Sequence, residues 1–236
     1  MLFRSNPGTN ALTLTKSGTG TLVLSGNSGF TGNLVVDDGT LKPSGTASNL
    51  LGTITAAGNV TTLRQGATLD INGAGASTTL YTGVSLPLVT VGSLTGGGMT
   101  NPSGTNQFTT TGATVTNNGA AASAISLGTG TVNTSAGVFN GLISDGSKQL
   151  TVVVSGGTHN QWLNGYNTYT GATILSGGTL VATNLASGGS ASSIGASTNA
   201  ASNLVFNGGI LSYGATGTLP VLLNTGTPSV SIDRLF

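Results

Sequence analysis

Two stretches of the chain share one pattern of glycine, threonine and leucine. They read GNSGFTGNLVVDDGTL at residues 26–41 and GYNTYTGATILSGGTL at residues 165–180. Phe30 corresponds to Tyr169, and an aliphatic pair follows in both stretches. At an offset of 139 residues, the identical positions are Gly26, Thr31, Gly32, Gly39, Thr40 and Leu41 in the first stretch and Gly165, Thr170, Gly171, Gly178, Thr179 and Leu180 in the second. Two copies of one unit indicate a repeat protein.

The repeated unit alternates short apolar runs with glycine-containing corners. Glycine adopts positive φ at a corner, and aspartate or asparagine initiates it. Strands of about three to five residues between such corners favour a parallel β-solenoid, in which each turn stacks on the last and threonine and asparagine side chains form ladders. Turns of roughly 20 to 25 residues would give about ten turns and a rod of roughly 50 Å. An antiparallel sandwich is the alternative, because Asn-Gly pairs such as the one at Asn72 also mark hairpins.

The composition excludes a helical chain and a disordered one. Only 5% of the residues are charged, against roughly 25% in ordinary soluble domains. Exposed helix faces use glutamate and lysine, and this chain contains no glutamate. Disordered chains combine low hydrophobicity with high net charge, whereas this chain is 37% hydrophobic with a net charge of +1. We therefore predict an all-β fold.

The same composition excludes several classes of partner. No basic stripe is interleaved with aromatic residues, so nucleic-acid binding is not expected. No apolar run is long enough to span a membrane, so direct insertion of this chain into a membrane is not expected either. The absence of cysteine excludes a disulfide framework and a thiolate metal site. No cofactor and no metal site are predicted.

Catalytic constellations are not evident. His159 is the single histidine, and no G-x-S-x-G elbow is present, so His159 is interpreted as a surface residue on an irregular corner. Asp37 and Asp38 are the adjacent carboxylates, but consecutive strand residues point to opposite faces, and DDGT is typical of a turn. We predict that the chain is not an enzyme and has no catalytic residues.

The segment LTLTKSGTGTLVLSGNSGFTGNLVVDDGTLK at residues 12–42 resembles the passenger-associated transport repeat, also called the autotransporter-associated β-strand repeat. A second copy lies at residues 164–181. The repeat-defining residues are Gly26, Thr31, Gly32, Gly39, Leu41, Gly165, Tyr169, Thr170, Gly171, Gly178 and Leu180. The resemblance implies a right-handed parallel β-helix, in a single elongated domain, from a large secreted protein. It also implies a location at the bacterial cell surface, reached through an outer-membrane barrel in the rest of the longer chain.

The resemblance sets the expected domain boundaries. Residues 12–236 would form the β-helix, with degenerate turns between and after the two copies. Residues 1–11 would be an N-terminal extension. Within that extension, the opening LFRS matches the translation of a common sequencing-adapter oligonucleotide, so residues 1–5 are predicted to be an artefact without structural weight.

The chain departs from the repeat at Thr158 to Leu163, where a bulge is expected. The neighbouring aromatic residues make Trp162, His159 and Tyr166 the candidate contacts for a glycan or a host surface. Three functions follow from these features. The favoured one is a structural stalk, the alternative is an adhesin-like binding module near Trp162, and the least favoured is a polysaccharide lyase or hydrolase.

Overall fold

The computed structural model describes residues 2–5, 12–55, 59–81, 83–98, 112–128, 136–214 and 231–234, and for residues 2–5 it describes the backbone alone. Within these ranges the elements are short strands and one 3-10 turn, Ala201–Asn203. The strands are β1 Leu2–Ser5, β2 Leu12–Lys16, β3 Thr21–Ser25, β4 Leu34–Val36, β5 Thr40–Ser44, β6 Val60–Leu63, β7 Thr68–Asp70, β8 Ala76–Tyr81, β9 Val84–Thr90, β10 Ser93–Gly96, β11 Thr114–Thr116, β12 Ser123–Leu127, β13 Gly137–Phe139, β14 Leu142–Ile143, β15 Leu150–Val154, β16 Asn160–Leu163, β17 Thr173–Leu175, β18 Thr179–Ala182, β19 Leu204–Phe206 and β20 Ile210–Tyr213.

These strands form three sheets. Sheet A has the order β1-β2-β4-β6-β10-β13-β16-β18-β20, sheet B the order β14-β11-β7-β5-β3, and sheet C the order β19-β17-β15-β12-β9-β8. Neighbours in each sheet are parallel except for the pairs β1–β2 and β8–β9. Successive strands therefore belong to different sheets, and the chain returns to sheet A once per turn. The all-β fold and the parallel β-helix are confirmed, and the antiparallel sandwich is wrong.

One column of inward-facing residues follows sheet A without interruption through its eight parallel strands. The paired residues are Lys16, Val36, Leu63, Gly96, Phe139, Leu163, Ala182 and Tyr213. The turns between them range from 19 residues (Leu163 to Ala182) to 43 residues (Gly96 to Phe139). Eight strands at about 4.8 Å make a stack of roughly 35 Å. The expectation of about ten nearly uniform turns is wrong for the described chain, because the corners absorb insertions that leave the strand register intact.

Polar ladders accompany the apolar core, as predicted. The Thr62 and Thr95 hydroxyls lie 2.9 Å apart on neighbouring strands of sheet A. Beyond the strand ends, the Asn164 amide donates to the side-chain oxygen of Asn140 at 2.7 Å, and the Asn184 amide donates to the Asn164 carbonyl at 3.5 Å. Each ladder satisfies polar groups from one turn with groups from the next.

A hairpin covers the outer face of sheet C. In β12, β15 and β17 every residue is buried, so both faces of this sheet are covered. Leu80 of β8 packs with Ala124, Val153 and Ile174 in a second apolar cluster, separate from the main core. The Tyr81 hydroxyl also reaches the Ser202 carbonyl at 3.4 Å. The β8–β9 hairpin thus folds over turns that follow it in sequence.

The first strand pairs with the β-helix. Leu2–Ser5 runs antiparallel to Leu12–Lys16, so residues 2–5 do have a structural place, contrary to expectation. Their origin as an artefact remains a prediction.

Candidate functional site: the repeat motif and the irregular turn

The two copies of the motif lie on different faces of the β-helix. In the first copy, Leu34–Val36 belongs to sheet A and Thr40–Ser44 to sheet B. In the second copy, Thr173–Leu175 belongs to sheet C and Thr179–Ala182 to sheet A. Leu41 and Leu180 are both fully buried although they belong to different sheets. The motif therefore specifies a local strand, corner and strand, and it does not specify a face.

The motif glycines answer two different structural needs. Gly39 and Gly178 have φ of 67° and 64°, so they are the left-handed corners that the sequence predicts. Gly32 and Gly171 do not have a positive φ, and a positive φ at Gly171 was expected wrongly. A Cβ at Gly32 would overlap the backbone of Leu12, and one at Gly171 would overlap that of Leu150. These two glycines allow close approach to the preceding turn. The first pair, Gly26 and Gly165, also differs: Gly26 has φ of 80° in open space, whereas Gly165 lies against the Gly141 carbonyl.

The motif aromatic packs on a glycine of the following turn. Tyr169 is 0% exposed, and its hydroxyl lies 2.8 Å from the Thr173 hydroxyl. Its ring lies against Gly195, and the Phe30 ring lies against Gly52 in the same way. Thr53 donates to the Phe30 carbonyl at 2.9 Å, and Ala196 donates to the Tyr169 carbonyl at 2.8 Å. The sequence contains the signal for this contact, since NLLGT at 49–53 and SSIGA at 192–196 are spaced similarly from their aromatics, but it was missed.

Thr170 joins two turns through Asp145. The Thr170 hydroxyl donates to one Asp145 oxygen at 2.6 Å, while its backbone N–H and that of Leu150 donate to the other oxygen, each at 2.9 Å. For Thr31, its counterpart in the first copy, the structure shows a partly exposed side chain. Thr170 has an additional tie that the first copy does not share.

The irregular segment forms a regular strand rather than a bulge. Asn160–Leu163 pairs in parallel with Gly137–Phe139 on one side and Thr179–Ala182 on the other. Gln161 and Leu163 are buried and face the core, while Trp162 faces outward. The predicted bulge is wrong because this alternation matches a strand period, even though the letters differ from the repeat.

Gln161 repairs a break in sheet A. β10 and β13 pair only at Gly96 and Phe139 in the described register. The Gln161 carboxamide accepts from Leu94 N–H at 3.1 Å and donates to the Leu94 carbonyl at 3.0 Å, so it replaces the backbone of the missing strand pair. Gly137 lies opposite, and a Cβ there would overlap this carboxamide. The departure from the repeat at this position thus satisfies buried backbone groups.

His159 belongs to the same buried cluster. Its ring is 1% exposed, and Nε2 lies 3.3 Å from the Gln161 side-chain oxygen. Because a carboxamide oxygen only accepts, this bond requires the proton on Nε2. Gly128 leaves room for the ring, since a Cβ there would overlap it. The predictions of a surface histidine and of a ligand contact at His159 are contradicted by this burial.

Trp162 and Tyr166 do not form one site. Trp162 is half-buried on the outer face of sheet A, between Val138 and Val181 in the register. Tyr166 is 70% exposed. The loop that carries Tyr166 stacks on sheet B, because the side chain of Asn167 accepts from Ile143 N–H at 2.9 Å. The aromatic concentration in the sequence is therefore divided between two faces.

All five carboxylates of the chain make structural contacts. Asp37 pairs with Arg64 at 2.8 Å, and its neighbour Asp38 accepts from the Gly39 N–H at 2.7 Å in its own corner. Asp70 accepts from the N–H groups of Asn72 and Asn118. Asp145 and Asp233 also accept backbone N–H groups from other turns. In the described ranges no group of three metal-ligating side chains comes together.

The described part of the chain also contains no helix that is long and apolar enough to cross a membrane.

Comparisons with known proteins agree with this geometry. A family model described as the passenger-associated-transport-repeat matches residues 14–42 and 163–182, the two motif copies. The chain is 34% identical over 212 residues to the adhesin BmaC autotransporter of Brucella suis biovar 1 (strain 1330), an alignment that covers 89% of this chain and 5% of that relative. No solved structure matches. The chain therefore belongs to the family of autotransporter passengers that carry passenger-associated transport repeats.

Proposed function

We propose that this chain is a non-enzymatic stalk segment of an autotransporter passenger, which extends other parts of a longer protein away from the bacterial surface. The observation that carries the proposal is the uninterrupted inward column from Lys16 to Tyr213. A stack in which each turn contacts only its neighbours transmits position along its axis and needs no chemistry of its own.

Side-chain use supports a structural role over a catalytic one. A polysaccharide lyase or hydrolase needs carboxylates that face one substrate. Here Asp37 and Asp38 serve different corners, and His159 lies inside the β-helix. The proposal accordingly includes no cofactor, metal or nucleic-acid partner.

The proposed setting is extracellular. The relative is named an autotransporter adhesin, and this chain corresponds to 5% of its length. We place the chain at the bacterial cell surface, with the rest of its own longer chain, including an outer-membrane barrel, as its main partner. The polar outer ladders, with few charges, suit a surface that contacts water along its length.

A deletion of whole turns tests the stalk. In the full-length protein, removing residues 37–163 joins two equivalent positions of the inward column, because Val36 and Leu163 share it. A stalk predicts that surface display, protease resistance and adhesion by the rest of the protein persist, with a shorter projection. The control deletion, residues 37–151, joins unequal positions and is expected to lose protease resistance. A displayed, protease-resistant whole-turn deletion that no longer adheres would contradict a purely structural role.

A second candidate function is glycan or host-surface binding through Trp162. It is favoured by the outward indole between Val138 and Val181, since an aromatic face on an apolar strip can stack on a sugar ring. Trp162→Ala should then abolish glycan-array binding and Trp162→Phe should retain part of it. Tyr166→Ala, on a different face, is the matched control. Equal binding by wild type and Trp162→Ala would eliminate this candidate.

A further inference from the structure

Arg234 is a buried cation that the stalk does not require. It is 5% exposed, in a chain that has only six lysines and arginines. Its guanidinium donates to the Ser197 hydroxyl at 2.6 Å, to the Gly195 carbonyl at 2.9 Å and to the Ala186 carbonyl at 3.3 Å. Three neutral oxygens at different angles match the fork of donors that arginine presents.

The preceding residue binds the same loop. One oxygen of Asp233 accepts from Gly188 N–H at 2.6 Å, and the other lies 3.5 Å from the side-chain nitrogen of Asn199. All five contact points therefore lie between residues 186 and 199, which we call the latch loop. The two side chains of one dipeptide grip a single loop of the turn between β18 and β19.

The latch loop is itself held by the turn below it. Asn167 and Ser192 exchange backbone hydrogen bonds at 3.0 and 3.2 Å, and Gly195 lies under the Tyr169 ring. Sheet B ends with β14, so the stack continues here as loops: first residues 164–172, then the latch loop, then residues 231–234. The guanidinium occupies the next layer of that stack.

Electrostatics also make the occupant specific. Burial lowers the pKa of Arg234, while nearby Tyr169 and Asp233 act in the opposite direction. A buried cation without compensating acceptors would be strongly unfavourable, so the three oxygens must be arranged around it. A lysine ammonium, with one nitrogen, cannot reach the same three points.

We propose that the latch loop is a guanidinium-binding pocket, and that the Asp233–Arg234 pair is a latch that fixes the chain after β20 onto the preceding turn. Lys16 gives the same device at the other end of the described β-helix, since its buried ammonium donates to the Gly18 and Asp38 carbonyls. The inference is independent of the stalk proposal, because it concerns how turns are secured and not what they display.

Chemical rescue tests the pocket. In the whole 236-residue chain, Arg234→Ala should lower the melting temperature by about 5 °C or more, since loss of buried hydrogen bonds of roughly 2 kcal/mol moves a domain of this size by several degrees. Millimolar guanidinium or methylguanidinium, added to the variant, should restore the melting temperature in a saturable way. Sodium chloride at equal ionic strength should not, and Arg234→Lys should remain destabilised.

The matched control is Arg64→Ala, which removes an exposed guanidinium paired with Asp37. Its melting temperature should not rise with guanidinium, and neither should that of wild type. An Arg234→Ala chain as stable as wild type would overturn the latch. A destabilised variant on which guanidinium has no more effect than sodium chloride would overturn the pocket. If Arg234→Ala does not fold, Arg234→Gln, which keeps part of the donor set, is measured in its place with the same two outcomes.

Discussion

At the residue scale, the glycines that look equivalent in the repeat differ in what they permit. Gly171→Ala adds only a Cβ, which would overlap the Leu150 carbonyl, so it should destabilise the chain by about 1–3 kcal/mol. Gly171→Val should do so for the same reason and not because of φ. Gly29→Ala is the control, because its Cβ would meet open space, and it should stay within about 0.5 kcal/mol. Urea unfolding measures both, and equal stability of the two variants would refute the close approach at Gly171.

Tyr169 should make the chain sensitive to alkali. Burial raises the pKa of its phenol, with smaller opposite effects from Thr173 and Arg234. An unfolded tyrosine ionises near pH about 10, so above that pH ionisation favours the unfolded chain. This contribution to stability is intact below pH about 10 and falls by about 1.4 kcal/mol per pH unit above it, until the folded phenol also ionises.

Urea titrations between pH 8 and about 11.5 should show this fall in wild type and a smaller one in Tyr169→Phe. The variant should also lose about 1 kcal/mol at neutral pH, because the hydroxyl contact with Thr173 is gone. Tyr166→Phe, at an exposed site, should behave as wild type. Parallel pH profiles for wild type and Tyr169→Phe would show that burial of this phenol does not matter.

At the scale of elements, sheet A depends on a side chain where its backbone pairing stops. Gln161→Leu should cost about 2–4 kcal/mol, because it leaves the N–H and carbonyl of Leu94 buried without their partner. Gln149→Leu removes an exposed amide and is expected to have little effect. Unfolding free energies from urea titration decide between them. A neutral Gln161→Leu would mean that β10 and β13 can close on each other.

The β8–β9 hairpin should open without unfolding the β-helix. Leu80→Ser places a hydroxyl in the apolar cluster with Val153 and Ile174, so the outer face of sheet C should become exposed. Binding of an apolar dye should rise, while amide exchange in β12 and β15 stays slow because their main-core faces are unchanged. Leu142→Ser, at an exposed leucine of sheet B, is the control. Rapid exchange throughout β12 and β15 would show that the hairpin is required for sheet C.

At the scale of the whole molecule, stability should be a sum over turns and neighbouring contacts. Leu14→Ala and Leu180→Ala remove equally buried leucines from opposite ends of sheet A. Each should cost about 2–5 kcal/mol locally. Amide exchange should accelerate in β2, β4 and β6 for the first variant and in β16, β18 and β20 for the second. Uniform acceleration across the chain in either variant would show one cooperative unit instead.

The sequence by itself determined the class of fold and the corners. The glycine spacing, the short apolar runs and the near absence of charge predict a parallel β-helix, because few other folds bury so much without charged surfaces. Gly39 and Gly178 were predictable as left-handed corners since positive φ is a local property. The Asn and Thr ladders follow from stacking equivalent positions.

The tertiary structure decided which face each copy occupies and what the irregular residues do. Register depends on insertions between turns, so the same motif lies on sheets A and B in one copy and on sheets C and A in the other. The roles of Gly171, Gln161, His159 and Arg234 are contacts between residues far apart in sequence. Such contacts form only when one turn is stacked on another, and no local pattern encodes them.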